Sequence, residues 1–149
     1  MRSLVFVVLL LLSLAAHAAQ RVPLLLHIGG GVGGTGPNFW VTLGSDGLLT
    51  VKKTGLPIVA PGKLSESRQK VHLSKAAAAS IIHLAEATDD FQTGCEAVPD
   101  GISATLVLRL EKKTVKRECW SSSRWPTGAK TKRLLNQLNS NLAKEFQIE

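Results

Sequence analysis

The chain has 149 residues, with 18 basic against 11 acidic side chains. That length sets one domain with room for a real core, and beyond the first 19 residues no apolar run is long enough to span a bilayer. The charge is one-sided: residues 19–100 carry 7 basic and 7 acidic side chains, residues 101–149 carry 10 and 4.

Arg2 precedes an apolar run from Leu4 to Leu14, and Ala16-His17-Ala18 follows it. A positive start, a short apolar segment and an A-x-A exit predict a secretory signal peptide over residues 1–18. Residues 19–149 then form a single exported domain, periplasmic or secreted. Arg21 to Ile28 reads as a short apolar strand. Gly29 to Asn38 is glycine-rich, and Gly31, Gly33 and Gly36 spell the letters of a dinucleotide fingerprint. That fingerprint must open a helix after a strand. Here Pro37 and another strand, Phe39 to Leu43, follow, so a nucleotide site is rejected.

Gly44-Ser45-Asp46-Gly47 separates Phe39–Leu43 from Leu48–Lys53 and predicts a hairpin. Residues 54–63 read as a loop. Ser65 to Leu73 alternates and carries Arg68 and Lys70, which suits an edge strand. Ser74 is placed to cap a helix from Lys75 to about Thr88, with Ala78, Ile81, Ile82 and Ala85 on its apolar stripe. Phe91 closes that helix into the core. Ile102, Ala104, Leu106, Leu108 and Leu110 alternate with polar neighbours or Val107, and Thr114 to Trp120 returns after a turn at Glu111-Lys112-Lys113. This hairpin supplies the best core face. It puts Val115, Arg117 and Cys119 on one side, and Lys116, Glu118 and Trp120 on the other. Thr127 is placed to cap a last helix, whose Leu134, Leu135, Leu138, Leu142 and Phe146 repeat at helical spacing. Four strands, a helix, two strands and a helix predict an α+β fold: an antiparallel sheet of about six strands with two helices packed on it.

Cys95 and Cys119 are the only cysteines. In an exported chain two cysteines predict one disulfide. Neither they nor His27, His72 and His83 stand at metal-ligand spacing, and no nucleophile elbow is present, so no metal, cofactor or catalytic residue is assigned. Asp89-Asp90 with Glu86 reads as a solvated acidic helix end. Lys130, Lys132 and Arg133 at the start of the last helix oppose its dipole. They are either a tolerated cost or a site that expects an anion. The constellation above background is basic and aromatic: Lys112, Lys113, Lys116, Arg117, Trp120, Arg124 and Trp125, with Lys130, Lys132 and Arg133 continuing it. It suits an anionic or protein partner, and export argues against nucleic acid. A solvated face and core-covering aromatics stay open beside that reading.

The order Ile28-Gly29-Gly30-Gly31, a Gly-Ser-Asp-Gly hairpin, the unit from Val71 to Phe91, an alternating hairpin and a leucine-rich last helix resembles a group of small bacterial exported domains. It is similar, more distantly, to emfourin-type inhibitors of thermolysin-like metalloproteases. These carry a glycine pair after the first strand, matched by Gly29 and Gly30, and a strand–helix unit ending in an aromatic, matched by Leu73 to Phe91. The resemblance implies a binding or inhibitory domain, not an enzyme, with Gly29 and Gly30 as contact backbone. The expected function is a non-enzymatic module that occludes a partner enzyme, as periplasmic inhibitors and immunity proteins do. The alternative is a binder of an anionic cell-envelope polymer through the basic last third.

Overall fold

The period-two apolar pattern of the strands resolves into one antiparallel sheet. In the computed structural model, residues 22–30, 36–55, 65–96, 101–121 and 128–148 are described. The elements are β1 (Leu24–Gly30), β2 (Asn38–Leu43), β3 (Leu48–Gly55), β4 (Ser65–His72), α1 (Lys75–Glu86), β5 (Ile102–Arg109), β6 (Thr114–Ser121) and α2 (Ala129–Asn139). A 3-10 turn, Lys144–Phe146, follows. The sheet has six strands in the order β4-β3-β2-β1-β5-β6. No described helix is long and apolar enough to cross a membrane.

Strand order is what the sequence does not carry. β4 ends at one edge, and the crossover through α1 lays β5 beside β1. The centre of the sheet is therefore β1, paired with β2 on one side and β5 on the other. β6 becomes the second edge.

Alternation then fixes the two faces. Leu24, Leu26, Val41, Leu43, Leu49, Val51, Leu106 and Leu108 are fully buried on the inner face. Ile81 and Ala85 of α1 and Leu134, Leu135 and Leu138 of α2 join the same core. Each such leucine or valine contributes roughly 1.5–3 kcal/mol through burial. The hairpin between β2 and β3 closes as Asp46 Oδ1 accepts from the Leu48 N–H at 3.0 Å and the Gly44 N–H donates to the Leu48 carbonyl at 2.9 Å. Ser74 caps α1, its hydroxyl accepting from the Ala77 N–H at 3.2 Å.

Both helices stop earlier than their apolar spacing predicts. α1 ends at Glu86, because the buried Thr88 turns its hydroxyl back to the Ala85 carbonyl at 2.7 Å. α2 ends at Asn139, whose side-chain amide binds the Ile148 backbone in both directions at 2.8 Å. The tail is thereby folded back. Leu142 and Phe146 reach the core from outside the helix, so helical spacing and helical structure part company after Asn139.

The bridge between Cys95 and Cys119 is formed, with Cα atoms 5.3 Å apart. It ties the segment after α1 to the edge strand β6. On the same edge the Glu96 N–H donates to the Trp120 carbonyl at 2.6 Å, and Gln92 Nε2 donates to the Glu118 carbonyl at 3.0 Å.

Candidate functional site

The face of the sheet opposite the helices is open, since no described element packs over it. Register lays its side chains out in rows. One row runs Arg68, Lys52, Trp40, His27, Thr105, Glu118 from β4 to β6. A neighbouring row ends in Ser103 and Trp120, with Gly29 beside Ser103. Trp40 is 41 % exposed and Trp120 52 %, which makes them the large apolar side chains most open to solvent among the described residues.

The imidazole of His27 stacks on the Trp40 indole, with centroids 3.8 Å apart and planes 24° from parallel. Burial pushes the His27 pKa down, and a side-chain hydrogen bond with Asn38 only partly opposes that. The imidazole is therefore neutral at neutral pH and partnered by an amide. Ion pairs stud the same face: Lys52 Nζ meets Glu66 at 2.8 Å, Arg68 meets it at 3.2 Å, and Lys116 meets Glu118 at 2.7 Å. The hydrogen bond from Lys52 and the charges of Lys52 and Arg68 hold the Glu66 carboxyl below its usual range. The two cations and the carboxylate paired at β3 and β4 stand well into solvent, so they set charge and not stability.

The residues singled out from the sequence do not gather in one place. Lys116 and Trp120 lie on the open face. Lys112 and Lys113 sit at the β5–β6 turn, where Lys113 Nζ meets Glu86 at 2.8 Å. The hydrogen bond and charge of Lys113 lower the Glu86 pKa. Arg124 and Trp125 lie outside the described residues, as do Thr127 and residues 1–18, over which a signal peptide is expected. Gly29 is buried, its carbonyl accepting from the Ser103 hydroxyl at 3.1 Å. A Cβ there would collide with the Asn38 side-chain oxygen. Gly30 has φ +105, and a Cβ would meet the Gly101 carbonyl at 2.6 Å. Local packing thus demands both glycines on its own account.

Arg117 points to the other side of the sheet and caps α1. Its Nη1 donates to the Ala85 carbonyl and Thr88 Oγ1, each at 3.0 Å, and its Nη2 to the Glu86 carbonyl at 3.1 Å. A guanidinium at a helix C-terminus satisfies carbonyls that the helix leaves open and complements its dipole. Arg117→Met is expected to cost about 2 kcal/mol in urea unfolding, with Arg117→Lys recovering less than half, since an ammonium cannot span three acceptors in one plane.

The cationic start of α2 has its anion within the chain. Asp90 Oδ2 accepts from the Lys130 N–H at 2.7 Å, and Oδ1 accepts from the Thr131 N–H at 3.0 Å and the Thr131 hydroxyl at 2.8 Å. Lys130 Nζ pairs with Asp89 at 2.7 Å. The cap position is Gly128, which has no side chain to cap with, and a Cβ there would collide with Asp90. The acidic pair expected to be solvated is thus a cap delivered from the segment after α1.

No protein-family model matches the chain, and no curated protein matches it. The site therefore rests on its own geometry. Among the described residues no group of three or more His, Cys, Asp or Glu side chains gathers where it could hold a metal ion. A groove of about 310 Å³ between the β2–β3 turn and α1 is lined by Leu43, Gly44, Asp46, Lys75, Ala78 and Ile82 among others, with no histidine or thiol. The feature that sequence reasoning missed is Trp40. Its signal was present, since Phe39, Val41 and Leu43 claim the core face and leave Trp40 outward. Only the register shows that it shares a surface with Trp120.

Proposed function

We propose that this chain is an exported, non-enzymatic binding module that docks a macromolecular partner flat against the open face of its sheet. The observation that carries the reading is that face itself, left uncovered by every described element across six strands and bearing Trp40 and Trp120. The disulfide supports an oxidising, exported location, periplasmic or secreted. The partner that fits best is an anionic cell-envelope polymer. Lys52, Arg68, Lys70 and Lys116 stand on this face against Glu66 and Glu118, so its field is positive. These cations come from β3, β4 and β6. The polymer surface is therefore spread over the sheet and is not confined to the last third of the chain.

A second reading keeps an enzyme as the partner, occluded in the manner of an inhibitor or immunity protein. Exposed indoles favour it, because tryptophan is a frequent interface anchor, and so does the resemblance to emfourin-type inhibitors.

Retention on isolated cell-envelope material at low and raised salt separates the two. Polymer binding is expected to fall log-linearly as salt rises. Retention through the salt wash together with a single enzyme, whose activity the chain then suppresses, would replace the polymer reading with the inhibitory one.

A further inference from the structure

We propose that the open face binds an acidic polysaccharide, with the indoles of Trp40 and Trp120 as its two stacking platforms. The inference rests on the reading that this face is the docking surface, and it names the chemistry of the polymer.

Three arguments carry it. The first is spacing. Trp40 lies on β2 and Trp120 on β6, three strand intervals apart, or about 14 Å across the sheet. Between them His27 on β1 stands against the Trp40 ring, Ser103 and Thr105 on β5 make lower ground beyond it, and Gly29 lies buried beside the Asn38 side chain. An extended chain that crosses His27 can meet the side of the Trp40 ring that His27 leaves free and reach Trp120 at the far edge. The second is surface chemistry. A pyranose presents an apolar C–H face to an aromatic ring and hydroxyls around its rim. The platforms supply the first partner, and Ser103, Thr105, Asn38 and Glu118 supply donors and acceptors for the second. The centre of a protein–protein interface is depleted of charge, whereas here Lys52 is the cross-strand neighbour of Trp40. The third is charge density. Cations outnumber carboxylates on the face, which favours an anion, but Glu66 and Glu118 stand among them. A polyphosphate or nucleic acid, charged at every repeat, meets repulsion there that a polysaccharide can avoid, because its hydroxyls can face the carboxylates.

His27 has a defined part in this arrangement. Its ring holds the Trp40 indole from one side at 3.8 Å. The platform is thereby fixed before ligand arrives, which lowers the ordering cost of binding.

The test uses the full exported chain and four probes: polygalacturonate, its methyl ester, polyphosphate and polyglutamate. Binding is followed by calorimetry and, in the unsubstituted chain, by tryptophan fluorescence. Polygalacturonate is expected to bind and to perturb the indoles. Trp40→Ala and Trp120→Ala are each expected to weaken it by about tenfold. Lys52→Gln with Arg68→Gln is expected to weaken it as well, while Lys112→Gln at the distant turn leaves it unchanged. The methyl ester, which keeps the sugar and loses the charge, is expected to bind more weakly, as are polyphosphate and polyglutamate. Equal binding of polyphosphate, indifferent to the indole substitutions, would overturn the polysaccharide inference and leave the anionic-polymer reading standing. Preference for polyglutamate would move the partner to an acidic protein. Equal binding of the ester would overturn the acidic part of the inference. Binding of none of the four would overturn both the inference and the polymer reading.

Discussion

Asp90→Ala is expected to lower the stability of the fold by about 2 kcal/mol in urea unfolding, at the upper end for loss of a helix cap. The magnitude follows from the number of groups one carboxylate serves. It accepts from two backbone N–H groups of α2 and from the Thr131 hydroxyl, and Thr131 is fully buried. Removing the carboxylate leaves that hydroxyl and the Thr131 N–H with an acceptor missing at a site water reaches poorly, which costs more than the net value of the bonds themselves. It also cuts the link between the segment after α1 and the start of α2. Asp90→Asn keeps the shape and one acceptor oxygen, and should lose about half as much.

The same substitution has a pH signature. Partial burial acts against the ionisation of Asp90, but the N–H of Lys130, the hydroxyl and N–H of Thr131 and the charge on Lys130 outweigh it, and its pKa is lowered. The folded chain therefore binds this proton less tightly than the unfolded chain does. The stabilisation is fully present above the unfolded aspartate value and is lost as pH falls through the lower, folded value. The unsubstituted chain and Asp90→Ala should differ most near neutral pH and converge as pH falls through the folded value, below the usual aspartate range. Unfolding curves of both at a series of pH values check this. A difference that stays constant down to acid would mean that the carboxylate acts by shape alone.

That cap also marks where reading the sequence stops. The strands were legible because the apolar residues of β2, β3 and β5 alternate, and the face assignment of Arg117 against Lys116 and Trp120 follows from the same period. The disulfide was legible from two cysteines in a chain whose first residues read as a leader. What alternation cannot give is which strands are neighbours. Only the placement of β1 at the centre of the sheet brings Trp40 and Trp120 onto one surface. Nor can local pattern show a contact between residues 90 and 130. Asp89 and Asp90 look like solvated acids, and Lys130 looks like an unfavourable first-turn cation, until the fold sets them against each other. The basic last third changes aspect in three dimensions for a related reason. Charge summed along the chain ignores direction, and in three dimensions Lys113 turns to Glu86, Arg117 to the end of α1 and Lys130 to Asp89. The open face draws its cations from β3 and β4 as well as from the last third.

Removing the disulfide as Cys95→Ala with Cys119→Ala is expected to cost about 3 kcal/mol, or about 10 °C in Tm. The bridge spans 24 residues, and most of its effect in the chain-entropy view comes from restricting the unfolded chain. Alanine suits both positions, since Cys119 is 1 % exposed and a serine hydroxyl there would need a partner. The local consequence reaches the open face proposed for docking. β6 is an edge strand, and on its free side the Trp120 and Glu118 carbonyls are met by Glu96 and Gln92 of the bridged segment. Without the bridge those contacts must hold the segment unaided. The end of β6 should then exchange its amide hydrogens faster than β1 or β5, and Trp120 should lose its fixed place on the open face. Trp40, pinned by His27 near the centre of the sheet, should keep its own. Binding through the open face is therefore expected to weaken about as much in the double alanine variant as in Trp120→Ala, at a temperature where the variant is still folded. If the double variant loses 3 kcal/mol yet binds as the unsubstituted chain does, the bridge serves the fold alone, and Trp120 is positioned by β6 pairing without it.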